Sequence, residues 1–309
     1  MFRGDMRRLL FSFCFILVAL CADAQGIRTA ADLVAFVEAI NGGKPTEQWR
    51  DKNGHVCLEA DIDMAKVKKL DPVSSFGGVF DGKGFEIKNW KAKNGLFRHL
   101  LQGGVIRNLT IAESCVMKAG EPAEEEYFLS FIAHINNGIV ENCVNKGTIT
   151  HKSPYSVADL YIGGIVGSNR GLILKCRNYG DISSTCISTV LDKNVDLNIG
   201  GIAGAAYNKT ENKSSVTLCE NYGALTYSGD VPCIYIGGVI GLCHSNTVKY
   251  SVNREPAAST SGINHFFIFL GIHHLYAHFD NISRGKELTF LAFARFTHEI
   301  LKGIVNYFK

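Results

Sequence analysis

Short apolar stretches alternate with Gly- and Asn-rich breaks along the middle of the chain, and the alternation is periodic. "IGGIVG" (162–167) recurs as "IGGIAG" (199–204) and "IGGVIG" (236–241), each copy 37 residues after the last, and a degraded copy, "LSFIAH", stands at 129–134. A second block follows each: "GIVENCVNKGTIT" (138–150), "GLILKCRNYGDIS" (171–183) and "SVTLCENYGALT" (215–226). Its shared core is Cys-x-Asn-x-Gly, read as Cys143, Asn145 and Gly147, then Cys176, Asn178 and Gly180, then Cys219, Asn221 and Gly223. "GGVIRNLTI" (103–111) fits the block with Leu109 in the Cys place, and "TVKYSVN" (247–253) fits it with Ser251 there.

Internal repeats of this length, each with short apolar strands between Gly/Asn turns, predict a parallel β-helix with three strands per unit. Successive coils then stack at the strand spacing of about 4.8 Å, and like residues form columns. Three residues before each Cys-place residue stands an apolar β-branched one: Ile106, Val140, Ile173, Val216 and Val248. An odd spacing cannot put both on one face of a straight strand. A bend between them lets both point inward.

The paired glycines of "YIGGIVGSNRG" also resemble a phosphate-binding loop. No Lys-Ser/Thr follows them, no helical pattern follows, and the motif occurs three times, so corners are the better reading. Close backbone approach and positive φ are the two reasons for glycine at a corner. The Cys column offers one thiol per coil, whereas a metal needs ligands converging from several directions. Stacked Cβ atoms near 4.8 Å are also wide for a disulfide, so Cys143, Cys176 and Cys219 are expected as buried free thiols. A Cys186–Cys233 bridge between neighbouring connecting segments is conceivable. Asn145, Asn178, Asn221 and Asn253 suit a ladder of amides bonded coil to coil.

Outside the repeats, "TAADLVAFVEAINGG" (29–43) predicts a helix with a Thr29/Asp32 capping box, an apolar face of Leu33, Phe36, Val37 and Ile40, and Gly42–Gly43 at its end. Such a helix would cover the open end of the stack. "HVCLEADIDM" (55–64) alternates as a strand with Val56, Leu58, Ala60 and Ile62 on one side, and "FGGVFDGKGFEIKNW" (76–90) predicts two short strands around Asp81-Gly82. The pattern stops at 253, where Glu255 replaces the Gly due two residues after Asn253. Residues 254–309 hold eight of the 19 phenylalanines and five of the ten histidines, and "ELTFLAFARFTHEILKGIVNYF" has a helical rhythm. Two readings of this tail stand: a C-terminal cap, or sequence from a frameshift or truncated gene model. The break inside a unit favours the second. His274 and His278 have metal-pair spacing but lack a third ligand.

Composition adds the compartment. Arg3, Arg7 and Arg8, the apolar "LLFSFCFILVAL" (9–20) and the small residues "ADA" (22–24) form a secretory signal peptide with cleavage before Gln25. Lipidation at Cys21 is the alternative, disfavoured by Leu20 where a small residue is wanted. The expected organisation is therefore a leader (1–24), a cap helix with first coils (25–100), the repeats (101–253) and the atypical tail (254–309). Residues 25–253 carry 23 Lys+Arg and 23 Asp+Glu, a neutral body that argues against a nucleic-acid partner.

In "FGGVFDGKGFEIKNW", "NGLFRHLLQGGVIRNLTI" and "GGIVGSNRGLILKCRNYGDI" the chain resembles secreted and surface proteins of bacteria that carry the GLUG motif, over about residues 27–253. The resemblance implies an adhesin-like, right-handed parallel β-helix at the cell surface or outside the cell, and the family supplies no agreed catalytic residues. The expectation is a non-enzymatic monomer that meets an extracellular glycan or host surface protein, with no catalytic residue, cofactor or metal. Segments 151–160, 185–197 and 207–215 would project as loops towards that partner. Two alternatives stand: a polysaccharide lyase or glycosidase, with Asp61, Asp63 and Asp81 as the best acids, or a fragment without independent function.

Overall fold

The computed structural model describes residues 26–120, 126–153, 159–187, 196–207, 214–230, 233–244, 247–254, 257–259, 265–269 and 276–280. One coil runs through five strands: Ala133–Asn136, Ile139–Glu141, Val144–Asn145, Thr148–Ser153 and Asp159–Gly163. The next begins at Val166–Asn169 and repeats the order. Stacking these coils produces five sheets of six or seven strands each. Within the sheets every pairing is parallel except the last, His265–Phe269 against Tyr276–Asp280. The chain is a parallel β-helix, as the repeats predict. The expected three strands per coil are corrected to five in the full coils, because the "IGG" block and the Cys-x-Asn block are each folded into two strands while the third stays single.

Two different devices make those folds. In the Cys-x-Asn block, the residue just before the column position is left-handed: Asn108 (φ 54°), Asn142 (49°), Lys175 (53°), Leu218 (54°) and Tyr250 (50°). That single residue turns the strand, so Ile106, Val140, Ile173 and Val216 point into the core together with Leu109, Cys143, Cys176 and Cys219. None of the five is glycine, although the conformation costs a side-chain-bearing residue about 1 kcal/mol. Asn142 recovers part of this by donating from Nδ2 to Asn108 Oδ1 at 2.8 Å. In the "IGG" block the glycines have ordinary φ, which corrects the expectation of positive φ there. They answer to close approach instead: a Cβ on Gly164 would collide with the Gly201 carbonyl oxygen and the Asn178 amide.

The amide ladder is present. Asn145 Nδ2 donates to Asn178 Oδ1, Asn178 to Asn221, and Asn221 to Asn253, each at 2.8 Å. Each of the first three amides also donates to the carbonyl of the glycine two residues on, at 2.9–3.0 Å. A second ladder was not anticipated: buried Asn136 donates to Asn169 Oδ1 at 2.7 Å at another corner. Cys143, Cys176 and Cys219 are buried free thiols, each pointing at the carbonyl two residues before it. Burial pushes the Cys176 thiol far up; for Cys219 the bond to Cys176 and burial do the same. These thiols are packing groups. Cys186 lies opposite Gly229, while the Cys233 side chain is outside the described residues, and so is the suggested bridge.

The cap helix, α1, spans Ala30–Asn41 and has the reciprocal Thr29/Asp32 capping box. Leu33, Phe36, Val37 and Ala39 are buried, and Ile40 is half-buried beside them. Phe36 meets Trp49 (5.7 Å), Phe80 (6.2 Å) and Phe76 (6.5 Å), so the helix closes the first coil with aromatic packing. The strand expected over 55–64 is two shorter ones, Val56–Cys57 and Ile62–Asp63, which belong to different sheets. The pair expected around Asp81-Gly82 is found at Val79–Asp81 and Glu86–Lys88.

At the other end, Ala257–Ser259 and His265–Phe269 pair with the preceding coil in parallel register, so strand stacking continues past Asn253. The helical rhythm of 287–308, the leader and His274 lie outside the described residues, as does the His278 side chain.

Two substitutions test this stacking. Gly164→Ala, which wedges apart two coils, should cost more than about 3 kcal/mol, while Gly120→Ala, with nothing nearer than a carbonyl oxygen at 3.9 Å, should stay within about 0.5 kcal/mol. Asn178→Ala leaves several buried groups unpaired and should cost about 3–5 kcal/mol, against about 1 kcal/mol or less for Asn253→Ala at the exposed end. Urea unfolding monitored by circular dichroism reads both; equal losses within either pair would contradict the column geometry.

Candidate functional site

The acids singled out by sequence are structural. Asp81 is nearly buried and accepts from Lys83 N (2.9 Å), Arg107 Nε (2.8 Å) and Asn108 Nδ2 (2.9 Å). Burial pushes its carboxyl up, and the bonds from Asn108, Lys83 and Arg107 outweigh that and hold it below the usual range. Asp61 is lowered by the Glu86 N–H and Lys88, and Asp63 by Asn89 and the Ala65 N–H. A general acid at neutral pH needs a raised pKa, and all three are shifted the other way. Among the described residues, no three of His, Cys, Asp and Glu converge as a metal site.

A different set of residues forms a cleft. In the fifth strand of each coil, Leu129, Ile162, Ile199 and Ile236 are core residues, so the residue before each faces the opposite side. Those residues are Phe128, Tyr161, Asn198 and Tyr235, stacked in register. The Phe128 and Tyr161 rings lie 5.0 Å apart and 13° from parallel. The chain then folds back at Gly163–Gly164, and the following strand brings Ser168 and, just beyond its end, Arg170 to the same place. Tyr207, from the next coil, donates from Oη to Tyr161 Oη at 3.5 Å. Glu126, Phe128, Tyr161, Ser168, Arg170 and Tyr207 together line an open cleft of about 330 Å³. Burial raises the pKa of both tyrosines, so both hydroxyls stay protonated.

The Ser168 hydroxyl is buried at 1% exposure and has no hydrogen-bond partner among the described residues, and Asn198 Oδ1, in the Tyr161 column, has none among them either. Sequence reading passed over this cleft, although it left a trace: "YIGG" at 161 and 235 carries a tyrosine one place before the core isoleucine, hence on the outward face. Of the segments expected to project, 154–158, 188–195 and 208–213 lie outside the described residues, whereas 151–153, 159–160, 185–187 and 196–197 belong to strands.

Two buried histidines complete the titrating groups. His134 Nε2 accepts the Gly95 N–H at 2.9 Å, and burial, with Arg98 and His99 near, depresses its pKa to about 3. His151 meets Ser184 Oγ at 3.0 Å from Nδ1, and burial depresses its pKa to about 4. From pH 6.5 down to those values the unfolded chain binds more protons than the folded one, so stability is complete above 6.5 and is lost on acidification. Each histidine should cost about 2.5 kcal/mol by about pH 4.5. The lowered carboxyls of Asp61, Asp63 and Asp81 act in the same direction as pH falls through their folded values. Urea midpoints at about pH 7 and 4.5 check this, and a midpoint independent of pH would contradict the buried neutral rings.

No protein-family model matches the chain, and no curated protein matches it in sequence. In structure it is similar to a crystal structure from Bacteroides ovatus described as a "putative immunoglobulin A1 protease", with a TM-score of 0.50 over 74% of this chain and 67% of that one, at 18% identity. A likeness at that identity bears on fold alone. The chain is thus a mostly β protein of stacked parallel sheets with a single described helix and an aromatic cleft on its wall.

Proposed function

We propose that this chain is an exported, non-enzymatic β-helix of adhesin-like type that binds an extracellular glycan or host surface protein. The observation that carries the reading is the chemistry of the wall cleft: aromatic rings, tyrosine hydroxyls and one charge of each sign, a recognition set rather than a reacting one. The rigid stack supports it, since repeat surfaces hold contacts in place over several coils. The leader at 1–24 and the balanced charge of the body fit an exported protein that meets neither nucleic acid nor a strongly charged surface.

Hydrolysis of a protein or polysaccharide is the competing reading, raised by the name of the structural neighbour and by other uses of parallel β-helices. The state of the carboxylates weighs against it, because Asp61, Asp63 and Asp81 are each held ionised by fixed donors. The purified full chain should retain on arrays of glycans and matrix proteins while leaving immunoglobulin A1 and acidic polysaccharides intact over prolonged incubation. Cleavage of either substrate, abolished on replacing a single residue, would refute the non-enzymatic reading; silence on every array would refute the binding reading.

A further inference from the structure

We infer that the cleft between Phe128, Tyr161 and Tyr207 is a subsite for an uncharged saccharide residue; this rests on the binding reading above and names its ligand class. The first support is the unused hydrogen-bonding capacity. Ser168 lies at the cleft, is 1% exposed, and its hydroxyl has no partner among the described residues. The fold does not require a hydroxyl there, because Ala205 fills the same register position one coil further on. A buried polar group without a partner costs free energy, so its presence is accounted for by a ligand that supplies one.

The second support is the balance of charge. Arg170 and Glu126 both line the cleft, and both act electrostatically on Tyr207. An anionic ligand would have to approach Glu126 and a cationic one Arg170. A sugar hydroxyl is donor and acceptor at once, so a ring bearing several can give to Glu126 and Ser168 and take from Arg170 and the tyrosines without an uncompensated charge. The third support is shape and surface. A volume of about 330 Å³ is at the small end of ligand pockets and accommodates a sugar ring or two. Three aromatic rings supply apolar surface for its C–H groups. An extended peptide would instead use the backbone groups of a free strand edge. Here the strands that carry Tyr161 and Tyr207 are paired on both sides. Glu126–Leu129, which carries Phe128, is the one edge strand at the cleft among the described residues, so extended peptides are a comparison probe in the test.

The test is calorimetric titration of the full chain with uncharged oligosaccharides (gluco-, galacto-, manno- and N-acetylhexosamine series), with acidic glycans and extended peptides as comparison probes. At least one uncharged series should bind, Tyr207→Ala should weaken it roughly tenfold or more, and Ser168→Ala measurably. Tyr179→Ala, at the exposed stacked pair with Tyr222 on another sheet, should leave affinity unchanged. If Tyr207→Ala shifts the unfolding midpoint, Arg170→Ala at the cleft serves as the second reading. Binding indifferent to Tyr207→Ala and Arg170→Ala, binding of acidic glycans or peptides alone, or no glycan bound would each overturn the subsite. Should matrix proteins still be retained in those cases, the general binding reading survives; if nothing is retained, it falls as well.

Discussion

A coil of this protein can hold its shape only when another lies about 4.8 Å along the axis, because its strands find their hydrogen-bond partners in the neighbouring coils and not within their own. Everything else follows from that spacing. Side chains at equivalent positions are forced into columns, so each column must be filled by something that packs or bonds with its own kind. Isoleucine and valine satisfy this by contact along Ile106, Val140, Ile173 and Val216. Asparagine satisfies it by giving one amide hydrogen to the next coil and another to its own glycine. Cysteine fits as a small apolar group whose thiol weakly contacts a carbonyl.

The same spacing decides where glycine is obligatory. Gly180 packs so closely over Gly147, and Gly223 over Gly180, that a Cβ would strike the carbonyl below. Where the backbone needs a left-handed residue but the neighbouring coil leaves room, the chain uses Asn, Lys, Leu or Tyr instead, with Tyr250 80% exposed. Crowding, not φ, is the dominant constraint on composition in these coils.

The cleft lies on the side of the strand that the columns do not use. The fifth strand of each coil places leucine or isoleucine inward and Phe128, Tyr161, Asn198 or Tyr235 on the other face, and the fold-back at the paired glycines brings Ser168 and Arg170 to Phe128 and Tyr161. The tight Gly163–Gly164 corner is therefore both a stacking device and the feature that assembles the cleft. The acids that looked suited to catalysis were placed by the same rules as the rest of the wall. Asp61 and Asp63 bond to the coil above them, and Asp81 joins its own turn to Arg107 and Asn108 of the next coil.

Periodicity was legible in the sequence because a column writes the same residue type at each repeat. Hence the fold class, the capped helix at 30–41, the Asn145–Asn178–Asn221–Asn253 ladder and the buried thiols could all be read before any coordinates. The bend at Asn108, Asn142, Lys175, Leu218 and Tyr250 was legible too, from the odd spacing of inward residues on either side. The number of strands per coil was not, because the fold-back at the paired glycines uses ordinary φ and leaves no such shift in the pattern. Nor was the cleft: Glu126, Tyr161, Ser168 and Tyr207 come from four successive coils and are unremarkable where they stand in the chain. Local pattern records what a residue shares with its counterparts one repeat away. Which outward residues meet is decided by how strands of different sheets cross, and only the folded chain contains that.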